Sequence, residues 1–244
     1  MLVVFYLLYT LSLCLGLLSV LLVGCWMSRW QGGFSWTGSP LQFNWHPVLM
    51  VSGLVVLSGL AAVIYRTPFT WTQRKLTWKL VHAGLMLLAL VFSSLGLQAV
   101  FSFKQLLRLP HLQSLHSWVG FCTVLLFALQ WVLGGAGFLL TWTPLWIRQG
   151  LKPLHVWTGK VVLILSLIAC ISGINEKLLL SANTRNSTAE QMLSYPAQVR
   201  FGNSIGFMII AFGLVILGIL SRDKWKRPEP SDEGEHLFIL ENGG

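Results

Sequence analysis

Residues 115–140 read LHSWVGFCTVLLFALQWVLGGAGFLL. This run contains no Asp, Glu, Lys or Arg, and its one imidazole, His116, stands at the start. A helix needs about 20 mostly apolar residues to cross a hydrocarbon core roughly 30 Å thick, so the run is long enough. It lacks the period-2 alternation and the length of about 10 residues that mark a barrel strand. Five further runs are long and apolar enough as well: 2–27, 43–65, 78–103, 153–176 and 199–221. The expected fold is therefore an all-α membrane protein with six transmembrane helices. Residues 1–227 form one six-span unit and 228–244 a short tail.

Composition supports this assignment. Of 244 residues, 55% are hydrophobic and 10% charged, whereas an ordinary soluble domain carries about 25% charge. A soluble chain of this size could not hide so much apolar surface. Disorder, a disulfide scaffold and a nucleic-acid-binding domain are excluded on the same ground. The net charge of +9 is read as membrane topology. Cys14, Cys25, Cys122 and Cys170 lie in apolar runs with no CxxC spacing, so they offer neither a zinc site nor a point of covalent haem attachment. The first run has no basic flank before it and no small-residue cleavage site after it, so it reads as a retained span.

Orientation follows from the cations near the span ends. With the N-terminus inside, Arg66, Arg74, Lys75, Lys79, Arg148, Lys152, Arg222, Lys224, Lys226 and Arg227 face the cytosol. Arg29, Lys104, Arg108, Lys177, Arg185 and Arg200 face the other side. Asn186-Ser187-Thr188 is an N-glycosylation sequon on that opposite side.

Four histidines stand near the starts of four successive spans: His46, His82, His116 and His155. Metal-binding groups inside a span are expensive and point to function. Spans two and four run in the same direction, so His46 and His116 share a depth near the outer face. Spans three and five run the other way and place His82 and His155 together near the cytosol. Two imidazoles from facing helices suit the axial positions of a non-covalently held b-type haem. Two such groups at opposite depths would form an electron relay. The rival reading is a haem-free transporter whose histidines shuttle protons or metal ions. No Asp or Glu lies within these four spans before Glu176 to complete a zinc site or a carboxylate relay.

The segments FNWHPVLM (43–50), SLHSW (114–118), PLHV (153–156) and GINEK (173–177) resemble, in order, the signatures of the cytochrome b561 family. The likeness extends to about Arg227. SGINEK (172–177) and WKRPEP (225–230) look most like its lysosomal and late-endosomal ferric reductase branch. The resemblance implies six helices, with a four-helix core holding two haem b groups. It implies that L-ascorbate gives one electron at the cytosolic face, where Arg66, Lys75, Lys79 and Arg148 match the family's basic residues. A cationic rim also concentrates a monoanion on physical grounds alone. Arg66, Lys79, Ser114 and Glu176 are implied contacts to the haems.

At the far side the resemblance implies delivery to ferric iron or its chelates. The alternative acceptor is luminal monodehydroascorbate. The sequence departs from plasma-membrane relatives at this end: Lys104 stands where a chelate-binding His is expected, Gln113 replaces an aromatic residue and Arg29 replaces another outer His. The implied setting is a multi-pass protein of the late endosome or lysosome membrane, glycosylated and homodimeric. Plasma membrane or secretory vesicles are the alternative, and no nucleic acid is involved.

Overall fold

A computed structural model describes residues 2–36, 38–182 and 189–228. Asn186 and the tail beyond Pro228 lie outside the described residues. Every regular element among the described residues is helical, and six helices are long and apolar enough to span a bilayer. They are α1 (Leu2–Trp30), α2 (Pro40–Ile64), α3 (Lys75–Leu106), α4 (Leu115–Phe138), α5 (Leu145–Ala182) and α6 (Ala189–Ser221).

Two helices begin two or more turns earlier than hydropathy alone indicates. Helix α5 starts at Leu145 rather than 153 and carries Pro153 inside it, where the ring forfeits the bond to the Gln149 carbonyl. With 38 residues it is about 57 Å long, well beyond the hydrocarbon core. Its first turns, which hold Arg148 and Lys152, project past the apolar layer. Helix α6 likewise starts at Ala189 and tolerates Pro196.

Helices α1 and α6 pack tightly. The stripe Phe5, Ser12, Gly16, Ser19, Val23, Trp26 and Met27 on α1 recurs at three-, four- and seven-residue spacings, as one helix face requires. It meets Ile205, Ile209, Phe212, Ile216 and Ile219 of α6, all fully buried, in a core shared with α2 and α5. A side chain at Gly16 would come within 2.8 Å of Val56 and 3.2 Å of Phe212, so the glycine sets the closeness of this contact. Phe5 also meets Trp225 edge-on, with ring centres 5.5 Å apart. That contact places the start of α1 and the segment after α6 on one face, as an even number of spans demands.

Helices α2 to α5 form the remaining bundle. Its mid-height layer draws on all four: Leu54, Ala89, Val124, Phe127 and Val162. The buried hydroxyls near this layer are turned back onto their own helices. Ser58, Ser93, Thr123 and Ser166 donate to the carbonyls of Leu54, Ala89, Val119 and Val162, at 2.6–2.8 Å. The waist is thus apolar, with its hydroxyl groups satisfied within their own helices.

Candidate functional site

The histidine rings meet in two pairs on either side of this waist. His46 and His116 have ring centres 6.1 Å apart and planes at 84°. His82 and His155 are 6.4 Å apart with planes at 71°. Three of the four rings are oriented by a neighbouring backbone. His46 Nδ1 donates to the Gly96 carbonyl of α3 (2.9 Å), His82 Nδ1 to the Ala61 carbonyl of α2 (2.8 Å) and His116 Nδ1 to the Ala169 carbonyl of α5 (2.8 Å). A carbonyl can only accept, so the proton of each neutral ring is on Nδ1. The Nε2 lone pair is thereby left free for a metal.

The register behind these bonds is reciprocal. Gly96 lies 14 residues beyond His82 on α3, and Ala169 lies 14 beyond His155 on α5. Fourteen helical residues rise about 21 Å, which sets the spacing of the two levels. On α2 the matching acceptor, Ala61, lies 15 beyond His46. The additional residue is absorbed by the π-helical segment Val51–Leu57, in which the Ser58 N–H reaches back to Gly53.

Helices α4 and α5 face one another through a second reciprocity. A side chain at Gly134 of α4 would come within 2.8 Å of the His155 ring, and one at Gly173 of α5 within 2.7 Å of the His116 ring. Each imidazole therefore rests on a glycine of the partner helix. His155 is further framed by Phe138, with ring centres 5.3 Å apart, and its carbonyl accepts from Gln130 Nε2 at 2.6 Å. A 180 Å³ cavity beside it is lined by Gln130, Gly134, Leu151 and Thr158 among others. Beside His116 a 410 Å³ cavity is bordered by Ser114, Ser172, Asn175 and Glu176. Ser114 also caps α4 by accepting from the Ser117 N–H.

The donor set fits b-type haem. With metal–nitrogen bonds of about 2.0–2.1 Å on each side, two imidazoles on one metal have ring centres roughly 6 Å apart. Both pairs match this separation. Among the described residues no cluster of three His, Cys, Asp or Glu converges as a larger metal site would need.

At the inner face the expected basic residues divide into two groups. Lys79 Nζ donates to the Phe138 carbonyl at 3.1 Å, and Arg148 donates to the Leu140 and Thr141 carbonyls at 2.7 and 3.3 Å. Both hold the C-terminal end of α4, where the helix dipole favours cations. Lys75 and Arg148 lie within electrostatic reach of Lys79. Arg66 is engaged elsewhere, donating to the Leu220 and Arg222 carbonyls, both at 2.9 Å, at the end of α6. Burial pulls its guanidinium pKa below the usual value, opposed by the charge of Asp223. At the outer face Lys104 Nζ donates to the Pro110 carbonyl at 3.1 Å.

Sequence reasoning did not single out Gln130 or Phe138, and it met Gly173 only as part of the GINEK signature, without its contact to the His116 ring. Gln130 carried a usable signal, being an amide within an otherwise apolar stretch. Phe138 carried none, because aromatic residues are ordinary in spanning helices.

Two imidazole pairs stacked across an apolar waist suit a membrane electron carrier that holds its cofactor between facing helices. The family described as Eukaryotic cytochrome b561 matches residues 45–181, more than half the chain and all four histidines, and the chain belongs to that family. It is accordingly a b-type haem protein. It is 51% identical over 229 residues to the lysosomal membrane ascorbate-dependent ferrireductase CYB561A3 of Danio rerio, covering 94% of this chain and 93% of that one. With the protein of the same name from Homo sapiens it shares 48% identity over 98% of both chains. With the plasma membrane ascorbate-dependent reductase CYBRD1 of Xenopus laevis it shares 38% identity, over 89% of this chain and 75% of the other.

Proposed function

We propose that this protein carries single electrons from cytosolic L-ascorbate across the membrane to ferric iron on the luminal side, using two haem b groups. His82 and His155 would hold the inner group, and His46 and His116 the outer one. When bound there, haem would supply a one-electron Fe³⁺/Fe²⁺ couple. Each ascorbate gives up one electron and one proton to become monodehydroascorbate, and each electron converts one ferric ion to ferrous. The observation that carries this reading is the presence of two matched imidazole pairs at opposite depths.

The chain's own residues account for the rest. Nδ1–H donation to Gly96, Ala61 and Ala169 fixes three rings in the tautomer that binds metal. The waist of Leu54, Ala89, Val124, Phe127 and Val162 denies water and ions a polar path, which disfavours proton or metal transport by the same histidines. At the cytosolic face Lys75, Lys79 and Arg148 attract the ascorbate monoanion. Arg66 adds positive charge to that face while bracing α6. Ser114 and Glu176 border the cavity beside His116 and are proposed contacts to the outer group.

The same reading places the protein in the late endosome or lysosome membrane as a homodimer, glycosylated at Asn186. The naming of its relatives in Danio rerio and Homo sapiens supports both the compartment and the acceptor. Purified protein in ascorbate-bathed liposomes provides the test, with ferric citrate inside. Ferrous iron should accumulate inside, and the absorption spectrum should report two ascorbate-reducible b-type haems per chain. If internal ferric citrate stays oxidised while internal monodehydroascorbate is consumed, the iron assignment is wrong. A colourless but folded preparation would overturn the whole reading.

A further inference from the structure

The luminal rim above His46 carries a lysine that the electron relay leaves without a task. Lys177 Nζ lies over the face of Phe43, 4.7 Å from the ring centre. Phe43 in turn packs against His46 at 6.0 Å and Phe103 at 5.1 Å. Among the described residues no carboxylate pairs with this ammonium, and Glu176, its neighbour in sequence, borders the cavity beside His116 instead. Lys104 adds a second cation within electrostatic reach of His46. A half-buried ammonium held on an aromatic face keeps its charge while losing much of its freedom, so it is preorganised to receive an anion.

We infer that Lys177, seated on Phe43, is the luminal docking point for the electron acceptor, and that it selects anionic, carboxylate-chelated ferric iron. This rests on the proposed direction of electron flow and adds to it where the acceptor binds and what charge it bears. Phe43 then lies between the docked chelate and His46, so the chelate is held one ring from the outer iron ligand. The step is a single-electron reduction of chelated Fe³⁺ to Fe²⁺, with no bond made or broken in the protein.

The test uses the full-length protein in proteoliposomes with the acceptor on the luminal side. Lys177→Gln should raise KM for ferric citrate about fivefold, as expected for losing one attractive charge at a water-facing rim, with kcat little changed. KM for the cation hexaammineruthenium(III) should stay the same or fall, and Lys177→Arg should behave as wild type. Gallium(III) citrate, which is redox-inert, should bind wild type in calorimetry and bind Lys177→Gln more weakly. If Lys177→Gln fails to assemble, Phe43→Leu keeps the apolar volume but removes the ring face, and should raise KM for ferric citrate about twofold. Equal shifts for both acceptors, or gallium citrate binding that ignores the substitution, would overturn the inference. An unchanged two-haem, ascorbate-reducible spectrum in the same variants would leave the electron relay standing.

Discussion

Where α1 meets α6, side chain fills against side chain. Five α6 residues are fully buried, and Phe212 is set against Gly16 and Gly59, leaving no room for a methyl group at either. Where α4 meets α5, the contacts at the two histidine levels are instead rings on glycines, with cavities beside them. The first pair is built as a conventional lipid-embedded helix dimer, held by dispersion and close backbone approach. The second places each imidazole precisely and leaves space around it. The two regions divide the labour: one supplies rigidity, the other a lined chamber that must accept a large planar group.

That division can be broken by substitution. His82→Ala removes one member of the inner pair, and His46→Ala one member of the outer pair. Each should lose about half the haem per chain, or have one of the two groups grossly disturbed, as read in the reduced-minus-oxidised spectrum. Loss of both groups from either single variant would mean that the levels do not assemble independently. Gly134→Ala should strike the inner group and Gly173→Ala the outer, because the added carbon lands on the imidazole ring. On the packed side, Phe212→Ala should lower stability by about 3 kcal/mol in thermal or denaturant unfolding. It should leave the spectrum of the surviving folded protein unchanged.

Much of this arrangement was legible beforehand. Long apolar runs specified six spans, because hydrocarbon tolerates little else than closed helical hydrogen bonding. Depth alone paired His46 with His116 and His82 with His155, since antiparallel neighbours put their starts in opposite leaflets. Other features were hidden for physical reasons. The start of α5 at Leu145 escaped hydropathy because its first turns lie at the polar boundary, where Arg148 and Lys152 suit a helix as well as a loop. The π-helical turn in α2 left no trace in composition, because it changes register rather than residue type. The charges on the inner face could be counted but not grouped, as their partners are backbone carbonyls at helix ends. Thus Arg66 braces α6 while Lys79 and Arg148 grip α4.

A finer probe of the histidine-bearing pair is Gln130→Leu. It removes a hydrogen bond to the His155 carbonyl but keeps the volume, and among the described residues the His155 ring is not oriented by a backbone carbonyl as the other three are. The lost bond is worth about 1 kcal/mol. The inner group should therefore show a broadened or shifted absorption band at near-normal occupancy, with the outer group unaltered.

The smallest effect is predicted beside one of the largest. Gly134 and Gly135 are consecutive on α4, yet a side chain carbon at Gly135 meets nothing within 4 Å, while one at Gly134 meets the His155 ring. Gly135→Ala should therefore leave both haem bands unchanged and alter stability by no more than about 1 kcal/mol. Any shift should favour the folded state, because alanine loses less backbone freedom in a helix. Gly134→Ala gains the same helical preference and must lose the inner site regardless. If both glycines tolerate alanine equally, His155 is not held by the face of α4. The contrast between a filled helix pair and one shaped around its rings would then fail at the point where it is most specific.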